Sequence, residues 1–206
     1  MDPQSLKAPS IPADWRAEIV AIGCSTGGPV AVQKVLQALS KSALAPIVIA
    51  QHMPKGFTAQ FAERLNTVCV LDVMEGQNGT ILKAGTVYIS PASYITRVVR
   101  KADGRLSLDV QDANPQEWLY RPSVDLLLSS AAAASPHQVL AVVMTGMGRD
   151  GTKGAQAVRE TGGYVVTESA ETAVIYGMPK SVYEAGHSNL QVPLQDIAGV
   201  IQRYAI

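Results

Sequence analysis

A chain of 206 residues is long enough for one well-buried domain, and with 47% apolar and 17% charged residues its composition is that of a globular protein. Lysine plus arginine and aspartate plus glutamate balance at 17 each, which leaves no electrostatic footprint for nucleic acid or for an anionic membrane surface. The two cysteines, Cys24 and Cys69, form no zinc-like or CxxC spacing, which suits a reducing cytoplasm, and no apolar run approaches the roughly 20 residues that span a bilayer.

The start, Met1 to Trp15, is polar and proline-rich and lacks the basic-then-apolar order of a signal peptide. It reads as a tail or linker remnant ahead of one domain over 16–206. The run Glu18 to Ile22 predicts a buried strand, followed by a turn built from Gly23, Gly27 and Gly28 and by a helical pattern in "PVAVQKVLQALS". Strand-like "APIVIAQ" (45–51) precedes helical "TAQFAERLN", and "TVYIS" (86–90) follows. Alternation on both sides of Asp103-Gly104, in "YITRVVRKADGRLSLDVQD", predicts an antiparallel hairpin. Helical "SVDLLLSSAAAA", strand-like "VLAVVMTG" (139–146), helical "TKGAQAVRETG", strand-like "GYVVTES" (163–169) and helical "PKSVYEAG" complete the order. Pro29 stands near a helix start and Gly162 near a helix end, the expected asymmetry. Nearly all-apolar strands suit a parallel sheet covered on both faces. The expected fold is a doubly wound, mostly parallel α/β sheet flanked by helices, with an antiparallel hairpin at one edge.

In such folds ligands bind beyond the carboxyl ends of the strands. The sequence places Ser25 after "IVAIG", His52 after "IVIAQ" and Asp150 after "VLAVVMTG". A serine hydroxyl is a weak nucleophile until a base takes its proton, and a histidine base needs an acid to hold its tautomer. The order Ser, His, Asp is no obstacle, because such triads are recognised by role and geometry.

Each residue also has a plainer reading. Ser25 could cap the following helix, His52 could close a strand, and Asp150 could serve as a turn or N-cap residue. Three strand ends carrying the three groups together favour the chemical reading. His137, at the amino end of its strand, and His187, in a late polar loop, are weaker candidates. A phosphate cradle at Gly23, Gly27 and Gly28 is a further alternative. The GxxxGG spacing, however, lacks both the GxGxxG pattern and a P-loop lysine. His52 also stands where a ribose-binding carboxylate is wanted. The same N–H groups serve a tetrahedral oxyanion equally well.

The blocks "GCSTGGPVAVQKVL", "IAQHMPKGFTAQFAERL", "RPSVDLLLSSAA", "VVMTGMGRDGTKGAQAVRETGG" and "AVIYGMPKSVYEAG" resemble, in order and spacing, the catalytic domain of CheB-type protein-glutamate methylesterases. The resemblance runs from about Glu18 to near the C-terminus. It implies a doubly wound α/β hydrolase that demethylates glutamyl methyl esters on chemotaxis receptors, with glutamine deamidation as a second activity. It places the nucleophile at Ser25, the general base at His52 and the orienting acid at Asp150. Thr26, Gly27, Gly28 and Met147 fall beside the active serine and the oxyanion. It implies no metal and no organic cofactor, methylated cytoplasmic receptor helices as partner, and an open cleft as the site.

Two departures stand out. Family members usually carry a receiver domain ahead of the esterase, as lid and switch, whereas here only Met1 to Trp15 precedes the first strand. The expectation is therefore an excised or stand-alone catalytic domain, not switched by phosphorylation of its own residues, with a receiver or response regulator as a separate partner. The third-strand turn reads "SPASYIT" where the family commonly has a "PGG-H" type, with Tyr94 where histidine is common. That turn bears on docking or substrate choice and keeps a catalytically silent receptor-binding adaptor as the alternative, with a nucleotide-binding regulatory domain as a more distant one. Cys24, where alanine is usual, reads as a small buried residue.

Overall fold

The computed structural model describes residues 10–40, 44–112, 114, 116 and 118–206. In chain order the elements are β1 (Ile19–Cys24), α1 (Gly28–Ala38), β2 (Ile47–Gln51), α2 (Phe57–Val68), β3 (Asp72–Glu75) and β4 (Thr86–Ile89). They continue with β5 (Tyr94–Arg100), β6 (Leu106–Asp112), α3 (Val124–Ala134), β7 (Val139–Val143), α4 (Thr152–Glu160) and β8 (Tyr164–Glu168). Last come α5 (Met178–Glu184), β9 (Leu190–Val192) and α6 (Leu194–Tyr204).

Seven parallel strands form one sheet in the order β3-β4-β2-β1-β7-β8-β9. The predicted doubly wound sheet is therefore present, extended by β3 and β9 beyond the five strands that the apolar runs marked. The hairpin pairs Tyr94 with Asp112 through Arg100 with Leu106 and stands as its own two-stranded sheet. Strands β1, β2 and β7 are buried along their whole length because helices cover both faces. Alternation along β1 divides the core. Val20, Ile22 and Cys24 join a cluster with α1, α2 and α6, while Ile19 and Ala21 join one with α3, α4, α5 and the hairpin.

Strand order matters most at the centre. From β1 the chain crosses to β2 on one side, and from β7 it crosses to β8 on the other, although β1 and β7 are hydrogen-bonded neighbours. The loops leaving β1 and β7 thus diverge and open a crevice at a topological switch point. Ser25 lies on one wall of that crevice and Asp150 on the loop forming the other.

Of the expected tail, residues 1–9 lie outside the described residues. Ile11 is buried and accepts a hydrogen bond from Tyr204, and the Trp15 indole donates to the His137 carbonyl and packs edge-on against Tyr164. Among the described residues no helix is long and apolar enough to cross a membrane.

Helices α3 and α4 meet closely at Gly154, where a Cβ would come within 2.7 Å of Leu128 Cβ and 2.8 Å of the Asp125 carbonyl oxygen. Backbone cannot step aside as a flexible side chain can. Gly154→Val is therefore expected to lower stability by about 1–3 kcal/mol through overpacking, read as a lower urea midpoint.

Candidate active site

Ser25 directly follows β1. Its N–H donates to the Thr145 carbonyl at 2.9 Å, which ties the turn to the loop after β7. The Gly28 N–H donates to the Ser25 carbonyl at 2.8 Å. Among the described residues this leaves the Thr26, Gly27 and Met147 N–H groups without a protein acceptor, while Gly28 is engaged inside the turn. Gly28 has a spatial role instead: a Cβ there would fall 2.0 Å from Gln51 Oε1.

Gln51, the buried last residue of β2, was not singled out in the sequence. Its amide donates at 2.9 Å to the carbonyls of both Ser25 and His52, and its Oε1 accepts from the Cys24 thiol at 3.0 Å. It staples the serine turn to the histidine turn. Cys24 is a small buried residue, as expected, and burial, with the Glu168 charge adding, pushes its thiol far above the usual range. It is an inert thiol.

His52 follows Gln51, and its N–H donates to the Cys24 carbonyl at 3.0 Å. Its Nε2 lies 2.8 Å from Asp150 Oδ2, with the side chains 14% and 2% exposed respectively. That bond leaves Nδ1 as the nitrogen free for a proton from elsewhere. Among the described residues the Ser25 hydroxyl makes no hydrogen bond, to His52 or to any other group; such bonds often close only with substrate in place. The Tyr120 ring stacks on the imidazole, with centroids 4.6 Å apart and an interplanar angle of 0°.

Asp150 sits at the N-terminus of α3. Its Oδ2 accepts from the Val124 N–H and its Oδ1 from the Asp125 N–H, both at 2.8 Å, with the Ser123 hydroxyl at 3.4 Å. Asp125 returns the arrangement, because its Oδ1 accepts from Gly151 at 2.9 Å and Gly154 at 2.8 Å, at the start of α4. Burial first, with the Asp150 charge adding, holds the Asp125 carboxyl above its usual range.

The loop after β7 is held from below. The Thr145 N–H donates to buried Glu168 at 2.8 Å, and its hydroxyl donates to the Thr26 carbonyl at 2.9 Å. Met147 lies on this loop with 72% exposure, and Gly146 lies against Ser25, where a Cβ would be 2.7 Å from the serine Cβ. The structure thus gathers Ser25, Thr26, Gly27, Gly28, His52, Met147 and Asp150 at one mouth. His137 is elsewhere, at the opposite end of the sheet against Gly162, and the His187 N–H bonds to the Val182 carbonyl at the end of α5.

Residues 20–201 match the model of the family described as CheB methylesterase. The chain belongs to the CheB methylesterase family. It is 46% identical over 184 residues to a protein-glutamate methylesterase/protein-glutamine glutaminase of Desulfitobacterium hafniense, covering 89% of this chain and 47% of that one. A relative of the same name from Geobacillus kaustophilus is 43% identical over 196 residues, covering 94% and 56%. The chain thus spans about half the length of the curated relatives it matches. The crystal structure of the Thermotoga maritima CheB methylesterase catalytic domain superposes with a TM-score of 0.86 at 39% identity, covering 90% of this chain and 97% of that one.

Glu168 supplies a pH prediction. Burial raises its carboxyl above the ordinary 4.5, against the hydrogen bonds from Thr145 and Thr172 that lower it. The folded protein then holds a proton that the unfolded chain has already released, so stability falls as pH rises from 4.5 through the folded-state value. Glu168→Gln removes this loss. Relative to the parent, the variant should gain stability steadily as pH rises through that window, measured by urea midpoints at several pH values.

Proposed function

We propose that this chain is a serine hydrolase that removes methyl groups from glutamyl methyl esters on receptor helices, with Ser25 as nucleophile, His52 as general base and Asp150 as orienting acid. The His52–Asp150 pair carries the reading: a buried carboxylate fixes one imidazole nitrogen at 2.8 Å at the switch point where Ser25 follows the neighbouring strand β1. The names of the family relatives supply the substrate class.

The ester carbonyl enters above the ends of β1 and β7. Ser25 Oγ attacks it and passes its proton to His52 Nδ1, while Asp150 stabilises the imidazolium. The unpartnered N–H groups of Thr26, Gly27 and Met147 are the donors for the oxyanion. His52 returns the proton to the departing methanol, and a water activated by His52 then hydrolyses the acyl-enzyme. A glutamine amide follows the same route with ammonia as the leaving group. Methylated cytoplasmic helices of chemoreceptors are the partners that this chemistry fits.

Ser25→Ala should abolish methanol release from a methylated receptor fragment while leaving the thermal melt unchanged. Only a residual acceleration, on the order of 10³ to 10⁴ over water, remains from binding and the oxyanion donors. Near-parental turnover in the folded variant refutes the assignment. Asp150→Asn should lower kcat by about 10⁴, because an amide favours the wrong imidazole tautomer.

The loop after β7 separates backbone from side chain. Met147→Leu should retain most activity, because its proposed contribution is an N–H. Gly146→Val, which drives bulk against Ser25, should lose nearly all of it. Equal losses in two folded variants, compared by kcat, would move the role to the thioether.

A further inference from the structure

The bond to Asp150 holds the His52 ring by one edge and leaves it free to tilt about the hydrogen-bond axis. Tyr120 removes that freedom. Its ring is parallel to the imidazole, with centroids 4.6 Å apart, at the close end of the range for offset stacking. The tyrosine is itself confined. Its hydroxyl lies beside Gly148, where a Cβ would come within 3.0 Å of it, and the adjoining Arg121 carbonyl accepts from the Ser93 N–H at 3.2 Å.

We infer that Tyr120 is a positioning residue for the reaction proposed above: its π face fixes the plane of the His52 imidazole and favours the protonated ring formed when Ser25 gives up its proton. The inference rests on the reading of His52 as base. A cation over an aromatic face is attracted by the ring quadrupole, whereas a neutral imidazole gains less. The stack therefore strengthens the base at the step that needs it. The aromatic face is the working part, and the hydroxyl is not. Among the described residues the imidazole ring meets Asp150 at its edge and Tyr120 on its face. The charged residues carried by the surrounding segments include Lys55 on the His52 loop, Arg121 next to Tyr120, Arg149 beside Asp150, and Asp125, whose N–H donates to Asp150.

The test compares Tyr120→Phe and Tyr120→Leu with the parent, each first checked by thermal melt. NMR titration of the His52 ring in the resting protein needs no substrate, and methanol release gives kcat and KM. Tyr120→Leu should move the ring's titration midpoint down by about half a pH unit and lower kcat by about tenfold at nearly constant KM. Tyr120→Phe should restore the parental midpoint and turnover. An unmoved midpoint in Tyr120→Leu overturns the inference even if turnover falls. An equal loss in Tyr120→Phe assigns the effect to the hydroxyl and overturns it as well, and a rise in KM alone makes Tyr120 a substrate contact. A shifted midpoint in a protein whose parent releases no methanol upholds the stacking role and refutes the proposed reaction instead.

Discussion

Two helix N-termini, those of α3 and α4, meet at the crevice, and each brings unsatisfied N–H groups and a partial positive charge. Left alone, that meeting is unfavourable. The chain resolves it by exchanging carboxylates: Asp150, just before α4, receives the first N–H groups of α3, and Asp125, in the first turn of α3, receives those of α4. The donors are main-chain groups within packed helices, so neither carboxylate can swing away without uncapping a helix. The proposed orienting acid is therefore a structural cap as well. With its other acceptor sites filled by Val124, Asp125 and Ser123, the direction left to Asp150 is the one His52 occupies.

The remainder of the site follows from the sheet. Parallel strands place all their carboxyl ends on one side, and the reversal between β1 and β7 spreads their loops apart. Side-chain staples then set the loops to within hydrogen-bond tolerance. Gln51 joins the turns after β1 and β2, Thr145 joins the turn after β1 to the loop after β7, and Glu168 supports Thr145 from below. Burying a carboxyl at Glu168 costs stability unless it is hydrogen-bonded, and here it accepts from a main-chain N–H and the Thr172 hydroxyl.

What was legible in the sequence was what recurs locally. All-apolar runs marked the central strands, helical spacing marked the covering helices, and the loops after three of the runs gave Ser25, His52 and Asp150. Strands β3 and β9 were missed because short edge strands with exposed positions have no continuous apolar run. Helix α6 does carry a readable signal, since Leu194, Ile197, Ala198 and Ile201 are helically spaced, but it follows Pro193 closely in a stretch of mixed polarity. Gln51, Asp125 and Tyr120 were invisible for a different reason. Each acts through a contact between segments far apart in the chain, and no local periodicity encodes such a contact.

The "SPASYIT" turn shows how a departure in sequence reaches the site without touching its three central residues. Ser93 there has a left-handed backbone, φ 73, and its N–H holds the Arg121 carbonyl, next to the tyrosine stacked on His52. The same turn is anchored at its other side, where the Ala92 N–H donates to Thr58 Oγ1 and that hydroxyl donates to Glu75. The turn is therefore a strut between the start of α2 and the segment that enters α3. A change that moves Ser93 therefore bears on the segment that carries Tyr120. Variation at the turn after β4 can in this way reach the ring stacked on His52 while Ser25, His52 and Asp150 stay unchanged.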